Sequence, residues 1–321
     1  MKRKVLIFLL KVAFLAILLI GVYLLSALKL TKSFVSDDYS KFTHKAGSMI
    51  LGLSRAHYAM DPQTLEDNLK SVDYAKPFLN FAFEKSQSPY GEVYLEAVKK
   101  KIADSVTNGI FILSVTPGSF SVSNRLVNDE DILEFDRQMM IGKVKDLNED
   151  PNLEYVRKCF GRALYKGIFP HEHRLTSVFH SNGWEEFKLE GGGYTITQED
   201  IKFWQKETVE GYTKLAAYIP EYKSSYRMEW FKKTVAYLKT RGRVYILRIP
   251  MHPGILALED GVWPELDTQM EAISSEMNVP YLNYARTGET YQTYDGSHLY
   301  SQSAKKLCTE IARTISSNIL Q

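Results

Sequence analysis

Ser54 in LGLSRAH, and Asp295 and His298 in YDGSHLY, are residue types that together can form an acyl-transfer site. A serine hydroxyl is a weak nucleophile unless a base takes its proton. An imidazole does this when a carboxylate fixes its tautomer. Asp295 and His298 stand three residues apart, with Gly296 and Ser297 between them to let the chain turn. On this reading His298 takes the proton of Ser54 and Asp295 orients the imidazole. Amide N–H groups near Ser54 hold the oxyanion.

These groups lie about 240 residues apart in the chain, so the fold must bring them together. AGSMILGLS reads as a buried strand running into a turn that carries Gly52 and Ser54. DPQTLEDNL reads as a helix with Asp61 as N-cap and Pro62 in the first turn. KPFLNFAF is a second strand, GEVYLEAVKKKIADSV a helix, and GIFILSV a third, buried strand. Residues 118–225 are less regular and read as an insertion that shapes a pocket or meets a partner. Within it, helices are expected over Asp129–Leu147 and from Gln198, with GGG at 191–193 in a loop. EWFKKTVAYLKTRG (helix), RVYILRIP (strand), PELDTQMEAISSEMN (helix), VPYLNYA (strand) and SQSAKKLCTEIARTISSNIL (helix) complete the alternation. Such alternation predicts an α/β fold, a flavodoxin-like doubly wound parallel sheet over residues 47–321. Its ligands would sit beyond the carboxyl ends of the strands. The turn after the first strand and the DGSH segment fall at that edge.

GLSRA after the first strand and DGSH before the last helix resemble the SGNH/GDSL hydrolase superfamily, over most of residues 47–320. The Arg after the serine is similar to membrane-anchored envelope members associated with acylation of extracellular glycans and teichoic acids. The resemblance implies an SGNH-type fold, Ser54 as nucleophile, His298 as base and Asp295 as third member. It also implies a serine esterase or O-acyltransferase acting on acylated envelope polysaccharide or glycan, without cofactor or metal. The chain departs from the family pattern in three places. Leu53 replaces the usual Asp, Ser86 stands where Gly is common, and the third strand has no Asn before Asn124. Ser54 N–H and Asn80 are therefore the oxyanion candidates. The alternative is a catalytically inactive module that binds glycan or docks to a membrane-bound O-acyltransferase.

Other polar residues admit two readings each. Arg55 either binds a carboxylate or phosphate at the site mouth or pairs with an acid. His57 either competes as the base or is structural. His252, after the fourth strand, either lines the pocket or is a hydrogen-bonded structural residue. His171 and His173 in HEH are closer to loop residues than to zinc ligands, since no third ligand motif accompanies them. The 20 tyrosines serve sugar stacking or core packing equally well.

Composition sets the outer bounds. Apolar residues make up 45% of the 321 and charged residues 24%, which is globular. A net charge of +2 offers no basic stripe, so nucleic acid is not an expected partner. Val5 to Leu28 is apolar but for Lys11. At about 1.5 Å per residue it can cross a ~30 Å hydrocarbon core. Lys2, Arg3 and Lys4 place its N-terminus in the cytoplasm and the rest outside. A cleavable signal peptide is the rival, although its apolar core is shorter. The expected order is an anchor over 1–28, a polar connector over 29–46, then the α/β domain. Cys159 and Cys308 either pair or remain separate buried thiols.

Overall fold

In the computed structural model, which describes residues 2–32, 35–84, 87–160, 176–218 and 221–320, the apolar runs form one sheet. Its strands are β1 (Ser48–Leu51), β2 (Phe78–Asn80), β3 (Gly109–Ser114), β4 (Gly242–Arg248) and β5 (Tyr281–Asn283). All neighbours are parallel and the spatial order is 2-1-3-4-5. β1 and β3 are buried on both faces, as continuous apolar runs in a parallel sheet must be. One face carries helices Glu92–Lys101, Ser225–Lys239 and Leu266–Met277, which contribute Val98, Phe231 and Met270 to its core. The other face is covered by Pro62–Asn68 and Ser301–Leu320, through Leu65, Leu307 and Ile311.

Local signals explain several boundaries. Asp61 caps the Pro62–Asn68 helix by accepting from the Gln63 amide at 2.9 Å. The Leu266–Met277 helix ends at Asn278 in the left-handed region, φ 49°. The helix predicted over GEVYLEAVKKKIADSV to reach Val106 stops at Lys101 instead. There the Ala46 amide donates to the Lys101 carbonyl at 2.9 Å and Ile102 pairs with Ala46. The buried Lys101 ammonium meanwhile donates to the Leu147 carbonyl at 2.8 Å. A pairing distant in sequence thus overrides helical periodicity.

The insertion is more varied than expected. The run Asp129–Leu147 breaks into helices Asp129–Gln138 and Met140–Lys143, because Met139 is extended. Helix Leu153–Cys159 follows, and helix Gln198–Tyr218 lies beside helix Pro253–Val262. Ribbons pair Ser121–Ser123 with Glu221–Lys223 and Ser177–Phe179 with Glu185–Phe187. A buried pair fastens the insertion to the sheet-covering layer. Arg227 donates to both oxygens of Asp136, at 2.5 and 2.7 Å.

The N-terminal helix, Lys2–Thr31, is long and apolar enough to cross a membrane. It runs past the expected boundary at Leu28. Neither the end of this helix nor the segment after it is simply polar. Ala27, Leu30, Val35 and Phe42 belong to the main core, and Lys41 is buried. Cys159 and Cys308 are both free thiols.

Candidate active site

Ser54 opens the short helix Ser54–Ala59 directly after β1. Gly52 makes that turn possible by close approach. A Cβ there would come 2.6 Å from the Ala56 Cβ and 2.9 Å from the Ser114 Cβ of β3. The Ser54 amide heads the helix, where no preceding turn supplies a carbonyl to take it.

β5 lies at the sheet edge, with β4 and β3 between it and β1. The segment after β5 therefore crosses the carboxyl edge to reach Ser54. It is tied down on the way. The Tyr284 amide donates to the Arg248 carbonyl at 2.9 Å, and the His252 amide donates to the Gly296 carbonyl at 2.9 Å. Gly296 takes φ +92°, a conformation open to glycine. Its amide donates to Thr293 Oγ1 at 3.0 Å. The last helix then docks on the start of the domain, where Cys308 Sγ accepts from the Asp61 amide at 3.2 Å.

This loop puts the three expected residues in one line. His298 Nε2 lies 2.8 Å from Ser54 Oγ, and His298 Nδ1 lies 2.7 Å from Asp295 Oδ2. Asp295 Oδ1 accepts from the amides of Ser297 at 2.9 Å and His298 at 2.8 Å. Burial pushes the Asp295 carboxyl up. The His298 charge, the imidazole hydrogen bond and the two amide bonds together outweigh that and hold it below its ordinary value. An ionised carboxylate only accepts, so Nδ1 carries the proton and Nε2 is left to accept from Ser54. Tyr58 and Tyr294 flank the imidazole at ring distances of 4.9 and 6.0 Å.

Asn80 does not face an oxyanion. It is fully buried, and its Nδ2 donates to the carbonyls of Ala56 at 2.9 Å and Met60 at 2.8 Å. Its Oδ1 accepts from the Ala82 amide at 3.1 Å. It closes the end of the helix that Ser54 begins, and its donors are spent there. Ser86 and the HEH segment lie outside the described residues. His252 does not line the cavity at Ser54. It caps helix Pro253–Val262, accepting from the Gly254 amide at 3.1 Å.

Arg55 does face the cavity, but its charge is matched by Glu259 at 2.7 Å. Its Nε donates to Ser297 Oγ at 3.1 Å. Glu259 also takes Arg248 Nη2 at 3.1 Å, so one carboxylate joins two buried guanidiniums. His57 is not a rival base. Lys41 donates to its Nδ1 at 2.8 Å, so the proton sits on Nε2, which donates to Glu185 at 3.0 Å. Burial first, then the Lys41 charge, lower the His57 pKa to about 3 and keep it neutral.

A cavity of about 570 Å³ opens at Ser54. Ser54 and Arg55 lie at its base, and Leu215, Ile255, Leu258 and Val262 form apolar walls. A shallower hollow of about 390 Å³ lies beside Asp295, lined by Phe187, Trp204, Glu207 and Tyr294. Glu259, Lys41, Glu185 and the cavity walls were not singled out from sequence.

No family model, curated protein or solved structure matches the chain.

Proposed function

We propose that the protein is a membrane-anchored, extracytoplasmic serine esterase or O-acyltransferase of SGNH type, acting on acyl esters of envelope glycans. The observation that carries this reading is the continuous hydrogen-bonded line from Asp295 through His298 to Ser54, at the base of an open cavity. The strand order 2-1-3-4-5, with the line at the carboxyl edge, supports the fold assignment. The N-terminal helix supports anchoring, and the aromatic hollow beside Asp295 supports a sugar as the alcohol component.

The chemistry follows from the proton positions. Ser54 Oγ attacks the ester carbonyl as its proton passes to His298 Nε2. The resulting oxyanion is held by the Ser54 amide. Collapse breaks the bond to the alcohol oxygen, which leaves with the proton from His298. Water or a sugar hydroxyl then gives its proton to His298 and attacks the acyl-serine, and His298 returns that proton to Ser54 Oγ as it leaves.

The commitment of the Asn80 donors to helix carbonyls favours a second reading, a non-catalytic module that binds glycan or docks to a membrane acyltransferase. Fluorophosphonate labelling separates the two. Label on the wild type and on Ser301→Ala, with loss in Ser54→Ala, supports the enzyme. A folded wild type that takes no label supports the module.

A further inference from the structure

We infer that the acyl group taken by this site is an unbranched alkyl chain of medium length, seated in the cavity between helices Gln198–Tyr218 and Pro253–Val262. The inference rests on the serine-acyl reading above. An acetyl group needs little room beyond the reacting carbon, whereas this cavity is about 570 Å³, within the range of sites for whole small ligands. Its long wall is one helix face bearing Ile255, Leu258 and Val262. Ile255 and Val262 are seven residues apart, about 10 Å along the axis. Three chain bonds span about 3.8 Å, so that wall accommodates about eight carbons.

Charge argues in the same direction. Of the two cations that line the cavity, Arg55 is bonded to Glu259, which is shared with Arg248, and the part-exposed Lys223 is paired with Glu265 at 3.2 Å. An acyl group bearing a carboxylate or an ammonium would have to break that set. At the outer end Leu215 and Val262 are exposed, 39% and 59%, and extend the apolar surface to solvent. The polar and aromatic groups suited to the alcohol line the separate hollow beside Asp295. The reacting ester would therefore sit between an apolar channel and an aromatic hollow, with Ser54 and His298 at the divide.

The test uses the full chain in lipid nanodiscs with p-nitrophenyl acetate, butyrate, hexanoate and octanoate. Wild-type kcat/KM should rise about tenfold or more from acetate to octanoate, since each well-packed methylene adds discrimination. Leu258→Trp and Leu215→Trp, from facing walls, should each lower the octanoate-to-acetate ratio about tenfold or more. Partition into lipid is common to wild type and variants and cancels in that comparison. Fluorophosphonate labelling of Ser54 is run alongside. A labelled enzyme whose ratio stays flat, or whose ratio both variants leave unchanged, overturns the chain-binding inference and leaves the serine-acyl reading intact. Neither label nor turnover overturns both.

Discussion

At the residue scale, the two histidines near Ser54 differ because of what faces each ring nitrogen. His298 has a carboxylate on one side and a hydroxyl on the other, so its free lone pair points at Ser54. His57 has an ammonium on one side and a carboxylate on the other, and its lone pair is taken by Lys41. Two predictions follow from this contrast. Asp295→Asn should lower p-nitrophenyl ester kcat by about four orders of magnitude, because an amide at that position favours the wrong tautomer. A fall of less than tenfold would remove Asp295 from the mechanism. His57→Leu should destabilise the protein by about 3 kcal/mol, since Lys41 and Glu185 lose a buried partner. His57→Gln, which can both accept and donate, should recover part of that loss. Thermal unfolding of the two variants checks it, and equal melting temperatures would contradict the tautomer assignment.

At the element scale, the site depends on how the last helix is fastened. Glu186, on the ribbon before helix Gln198–Tyr218, accepts from Ser301 Oγ at 2.5 Å, Lys305 at 2.9 Å and His180 at 3.0 Å. Burial raises the Glu186 carboxyl, but these bonds outweigh it and lower the pKa to about 2 from an ordinary 4.5. A carboxylate depressed in the folded state stabilises it fully above the ordinary value, and the contribution is lost as pH falls toward the folded value. The stability gap between wild type and Glu186→Gln should therefore be constant above about pH 5 and shrink toward pH 2. A gap that widens on acidification would reverse the sign. Asn80→Ala should cost about 2 kcal/mol by orphaning the carbonyls at the end of the Ser54 helix, read as a lowered melting temperature.

Elements with local signals were legible in the sequence. The strands at β1, β3 and β4 are apolar runs long enough to be buried on both faces, and Asp61-Pro62 announces its helix. The line of Ser54, His298 and Asp295 was legible because strand-edge turns place residues by topology alone. Asn80 was misread because side-chain bonds to a neighbouring helix leave no mark in spacing. The helix Pro253–Val262 was missed because His252, an unusual cap, stands where Ser or Asp would signal a start. The cavity walls come from helices far apart in sequence, and only their packing reveals them.

At the scale of the whole molecule, the N-terminal helix and the α/β domain make separate demands. In membranes the full chain should resist alkaline carbonate extraction, and deletion of residues 2–24 should release it to the soluble fraction. Finding the deleted protein still in the pellet would mean that another surface holds it to lipid. The cut must spare Ala27 and Leu30, which lie in the core with Phe42, Tyr155 and Val156. A longer deletion, 2–38, removes these and also Asp38, the partner of Lys41 at 2.7 Å. It should unfold at a lower temperature than the shorter one. This shared packing bears on reach. A domain tethered by a loose strand would sample a hemisphere of positions around its mooring. Here the last turn of the mooring is itself part of the domain's interior, so the hydroxyl of Ser54 would ride at a set altitude over the lipid headgroups. On the proposed reading, only esters presented at that altitude would meet it, and distance from the bilayer would itself select among substrates.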